Sequence, residues 1–94
     1  PIIWTTYPFF EVTPSSYSPP DFLILEYDPV KEKRSLIAVE VKAKFHESYL
    51  ERYKSRAKFF KEIYGMEFYI VYPKPELKDY PLFPDDWKKV KVNV

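Results

Sequence analysis

The sequence predicts an α/β or α+β domain built on a mixed central β-sheet, with a hairpin and one main helix packed across it. Three observations carry this. Phe22–Tyr27 (FLILEY) and Ser35–Lys44 (SLIAVEVKAK) are rich in β-branched, aliphatic and aromatic residues and flank a polar turn. Tyr49, Tyr53, Ala57, Phe60 and Tyr64 recur every three or four residues, the helical period. Phe68–Tyr72 is a further β-rich run, so strand, helix and strand follow in the order of a crossover, which favours parallel pairing.

Each element has its own justification. In segment 1–19, Ile2, Trp4 and Thr6 alternate as a short edge strand before prolines at 8, 14 and 19 interrupt it, and a Pro/Ser-rich loop follows. Asp28-Pro29 starts a turn, and Lys31–Arg34 forms the polar tip of a hairpin. Its second arm is apolar on both faces from Leu36 to Val39, the mark of a central strand, and becomes charged on one face at Glu40. Ser48-Tyr49-Leu50-Glu51 has the spacing of a capping box, which opens a helix of about four turns that Gly65 stops. After a proline-bearing loop over 73–84, Trp87–Val94 alternates Val90, Val92 and Val94 with Lys89, Lys91 and Asn93, as a half-buried strand does. The chain is thus one domain over 1–94: an N-terminal segment 1–19, a core 20–72, and a loop with a final strand over 73–94.

Composition narrows the functional classes. With 94 residues the buried fraction of surface is modest, so a second subunit is expected to complete the core, and a homodimer is the simplest form. The 46% apolar and 31% charged shares describe a globular chain with a polar surface. No stretch has the apolar length of a membrane span or the pattern of a signal peptide, which predicts no membrane partner and a cytoplasmic location. The absence of cysteine excludes disulfides and thiolate zinc sites, and His46 alone builds no zinc site. Ten prolines against one glycine lean toward a thermophile's composition. A net charge of only +1 means that any nucleic-acid surface must come from local clustering.

The chemistry concentrates at Asp21, which opens the first hairpin arm, and at Glu40-Val41-Lys42, near the end of the second. Residues two apart in a strand share a face, so Glu40 and Lys42 project together while Val39, Val41 and Ala43 point away. Two carboxylates beside an ammonium meet the needs of phosphodiester cleavage: hard oxygen ligands for a divalent cation, an activated water, and positive charge against the developing anion. Asp21 and Glu40 suit Mg²⁺ or Mn²⁺, with the Val41 carbonyl as a further ligand.

At these residues the chain resembles the PD-(D/E)xK superfamily, which includes restriction endonucleases, archaeal Holliday-junction resolvases and the nuclease domains of recombination helicases. Asp21 matches the first acid, Glu40 the second and Lys42 the lysine, over roughly Pro20 to Tyr72. The resemblance implies a restriction-endonuclease-like core, a Mg²⁺-dependent nuclease acting on DNA, and Asp21, Glu40 and Lys42 as its catalytic set. A dimer would then place one site on each strand of a duplex. Many members carry another acid on a helix before the first strand; here the nearest candidate is Glu11, in a segment without helical period. Glu26 shares the parity of Phe22 and Ile24 and reads as a surface group of the hairpin.

Lys44, Lys54 and Lys58 are the candidate phosphate contacts, since Lys54 and Lys58 lie one helical turn apart, although interspersed Glu47, Glu51 and Glu62 also fit an ordinary solvated face. Tyr49 and Tyr53 resemble a tyrosine-bearing motif of some recombination nucleases, but both fall on the helix's apolar stripe, which favours core residues with wet hydroxyls. The alternative function is a catalytically incomplete nuclease-fold domain that binds nucleic acid or assembles with partners.

Overall fold

The hairpin signals in the sequence are realised as the centre of a five-stranded sheet. In the computed structural model, which describes residues 2–8, 22–77 and 84–94, the strands are β1 (Ile3–Pro8), β2 (Phe22–Asp28), β3 (Lys33–Val41), β4 (Glu67–Pro73) and β5 (Trp87–Lys91). They lie in the order β1-β2-β3-β4-β5, with β3–β4 parallel and the other neighbours antiparallel. Helices α1 (Ser48–Arg52) and α2 (Lys54–Tyr64) form the crossover between β3 and β4, so the domain is mixed α+β.

The β2–β3 register runs from Phe22 opposite Val39 to Asp28 opposite Lys33. Asp28 fixes its tip: Oδ1 accepts hydrogen bonds from the backbone N–H groups of Val30 and Lys31, and Glu32 adopts φ 52° to close the turn. β3 is central, as its apolar run requires, with Ile37, Ala38 and Val39 all buried. Leu36 departs from that expectation and is 43% exposed. Parallel pairing starts only at Ile37 opposite Glu67, so Leu36 lies beyond the stretch where β4 and its helix flank β3.

The period of two divides the sheet between two cores. Ala38, Phe68, Ile70 and Val92 face the helices and pack with Tyr53, Ala57 and Phe60. Ile24, Ile37, Val39 and Val71 pack on the other face with Trp4, Val41, Tyr69 and Trp87. Val92 lies just past β5 but keeps the ladder, its N–H donating to the Phe68 carbonyl, while Val94 is exposed.

Two features of the helix differ from expectation. It is broken at Tyr53 (φ −97°, ψ 6°), where the ring is buried against Phe68, although N–H donation from Tyr53 to Tyr49 and from Ala57 to Tyr53 carries helical bonding through the break. The capping box is not formed: Glu47 is the N-cap residue, in helical conformation, and no side chain caps the helix. Instead the N–H groups of Tyr49 and Leu50 donate to the carbonyls of His46 and Glu47, so a tight backbone turn takes over the role expected of Ser48. Gly65 does stop α2, at φ 65°, with its N–H donating to the Lys61 carbonyl.

Glu26 is not the surface group its position suggested. Its side chain is 18% exposed on the face away from the helices, where Oε1 accepts from Trp4 Nε1–H (2.9 Å) and from Lys89 Nζ (2.7 Å). Burial pushes its carboxyl pKa up, but the bonds from Lys89 and Trp4 outweigh this and hold it below the ordinary value. A lowered carboxyl pKa contributes stability that is full above the unfolded value of about 4.3 and lost as pH falls through the native value. Glu26→Gln is therefore expected to cost about 1–3 kcal/mol near neutral pH and to flatten the acid limb of the stability profile, measured by denaturant melts across pH.

Candidate active site

The carboxyl end of β3 is the most chemically loaded part of the described chain. Strand parity places Glu40 and Lys42 on the helix side, following Ala38, while Val39 and Val41 belong to the opposite face. Val41 pairs with Val71, and the Lys42 N–H donates to the Val71 carbonyl at 2.9 Å, so the ladder reaches the lysine backbone.

The helices supply the surroundings. The Lys42 ammonium lies 5.3 Å from the ring centroids of both Tyr49 and Tyr53. A hydrogen bond with Tyr53, above all, and the charge of Glu40 raise its pKa above the ordinary lysine value despite some desolvation, so it remains an ammonium through neutral pH. Arg56 Nη1 donates to Glu40 Oε1 at 2.5 Å, and the Arg56 guanidinium carbon sits 4.9 Å from the Tyr53 ring centroid. Both partners of this ion pair are largely withdrawn from water, with side chains 16% and 12% exposed. Arg56 is a partner that strand parity alone does not reveal; the usable signal is that Tyr49, Tyr53 and Arg56 lie three or four residues apart along the helical segment.

Asp21 and Glu11 lie outside the described residues. Phe22, which follows Asp21, pairs with Val39, which precedes Glu40. Among the described residues no three Asp, Glu, His or Cys side chains gather as a metal cluster. Glu40 is a hard oxygen donor of the type Mg²⁺ or Mn²⁺ takes, so it fits part of such a site, in competition with Arg56.

The candidate phosphate contacts separate. Arg56 reaches from α2 toward β3, whereas Lys54 and Lys58 line a groove with Lys61 and Val94, the latter beyond β5, and Lys58 lies 4.0 Å from Glu62. Because β4 lies between β3 and β5, this strip occupies the flank of α2 away from Glu40 and Lys42. Lys44 lies elsewhere again, exposed just past β3. His46 is exposed, with its ring 5.4 Å from that of Tyr49. Tyr53 is the core residue the apolar stripe predicts, and its ring also borders Lys42.

Among the described residues no helix is long and apolar enough to cross a membrane. The fold and site together define a small α+β domain with a carboxylate–lysine pair at the end of its central strand. No protein-family model, curated protein or solved structure matches the chain.

Proposed function

We propose that this domain is a metal-dependent nuclease of the PD-(D/E)xK type, with a restriction-endonuclease-like core and DNA as its substrate. The observation that carries the reading is that Glu40 and Lys42 share one face at the end of the central strand, with the ammonium held charged beside the carboxylate. The topology supports it, since an antiparallel hairpin is followed by a helical crossover and a parallel strand, the order that the resemblance implies.

Asp21, Glu40 and the Val41 carbonyl would hold Mg²⁺ or Mn²⁺, which when bound supplies Lewis-acid activation of water and charge neutralisation at the scissile phosphate. Glu40 orients the attacking water. Lys42 places an ammonium against the charge that develops on the phosphoryl oxygens. Arg56 neutralises the Glu40 carboxylate through their ion pair, and would have to yield it for Glu40 to hold a cation. A homodimer, expected because a chain of this size buries only a modest share of its surface, completes the reading and is tested by light scattering.

The Arg56–Glu40 ion pair also favours a second reading, a nuclease-fold domain that binds nucleic acid without cutting it. End-labelled DNA incubated with Mg²⁺, Mn²⁺ or EDTA separates the two. The nuclease reading expects metal-dependent products that Glu40→Gln abolishes. Binding with no products in either metal would overturn it in favour of the second.

A further inference from the structure

The carboxyl ends of β3 and β4 open into a cleft of about 610 Å³ that the catalytic reading does not use. Phe45 and Tyr72 both line it and stack on each other, with centroids 5.6 Å apart and planes at 25°. Pro75 and Leu77 add apolar wall, Lys44 and Lys74 supply positive charge, and among the described residues no acidic side chain lines it. Neither lysine takes part in an ion pair among the described residues.

A relay of side-chain contacts links this cleft to the candidate site. The Lys42 ammonium lies over Tyr49, Tyr49 meets Phe45 edge-on at 6.3 Å, and Phe45 stacks on Tyr72. Tyr72 follows Val71, the partner of Val41, and so emerges from the sheet beside Lys42. Rings bordered by lysines are the chemistry that holds single-stranded nucleic acid, where bases stack on aromatic faces and ammonium groups follow the phosphates. In an intact duplex the base faces are covered by their neighbours, so rings set in a concavity are reached only by an unstacked base.

We propose that this cleft stacks an unpaired nucleobase, so that the substrate is a single strand or a frayed strand end rather than continuous duplex. The inference rests on the nuclease reading for what is then done to that strand. It does not need cleavage to be tested. The affinity of the whole chain for a short fluorescein-labelled oligothymidylate, and for its duplex with oligoadenylate, is measured by anisotropy in EDTA. The single strand is expected to bind more tightly. Phe45→Leu, which keeps apolar volume but removes the ring, is expected to weaken single-strand binding about tenfold and duplex binding by no more than about twofold.

Lys44→Ala changes an exposed residue, keeps the proposal testable if Phe45→Leu does not fold, and is expected to reduce the salt slope of single-strand binding by about 1. Equal affinity for both forms, or single-strand binding indifferent to folded Phe45→Leu or to Lys44→Ala, would overturn the cleft. Cleavage is scored separately with Mg²⁺. Ring-dependent binding without cleavage supports the cleft and removes the nuclease reading, whereas cleavage with ring-independent binding does the reverse.

Discussion

Lys42→Ala is expected to lower Mg²⁺-dependent cleavage by about two to three orders of magnitude, the scale of losing one electrostatic stabiliser of ~3–4 kcal/mol. The fold should survive, because the Lys42 side chain belongs to neither apolar core and its backbone bond to Val71 does not depend on the side chain. What is lost structurally is the ammonium's seat on Tyr49 and Tyr53 and its hydrogen bond with Tyr53, about 1–2 kcal/mol together. Paired assays and thermal melts check both halves. A variant that cuts at the parent rate in saturating Mg²⁺ would reduce Glu40-Val41-Lys42 to a strand end and remove the central support of the nuclease reading.

Phe60→Ala is expected to have the largest effect on stability. Phe60 is 0% exposed and its ring meets Phe59, Tyr64 and Phe68, with centroids 5.7 to 6.0 Å away. It joins α2 to β4, so its removal leaves a cavity where the crossover is anchored. Such truncations cost about 3–5 kcal/mol, against a total of about 5–15 kcal/mol for a typical domain. At roughly 4–8 °C per kcal/mol for this size, the midpoint should fall by about 15 °C or more. A shift of under about 5 °C in a calorimetric melt would mean that α2 is not anchored through this ring.

The same geometry explains why lysines that look equivalent along the chain are expected to behave differently. Lys42 is held between strand and helix, whereas Lys58 stands on the outer flank of α2 beside Glu62. Exposed helical pairs of that kind contribute a few tenths of a kcal/mol and are screened by salt.

What the sequence determined by itself is what short-range geometry imposes. A period of two puts Glu40 and Lys42 on one strand face, Asp28 builds its own turn, and a single glycine in left-handed conformation ends the helix at 65. The apolar run in β3 likewise announces a central strand. None of this needs contacts distant in sequence. Only the tertiary structure decided which groups those residues meet. The docking of α2 over β4 directs Arg56 toward Glu40 and turns Lys54 and Lys58 away, and tertiary packing of α1 and the Tyr53 junction brings Tyr49 and Tyr53 over Lys42. It also decided that Glu26 is a half-buried partner of Trp4 and Lys89, and that Phe45 meets Tyr72 in a cleft. The physical reason is that periodicity specifies a direction from one element, whereas a site needs the relative placement of several, which comes from packing between residues far apart in the chain.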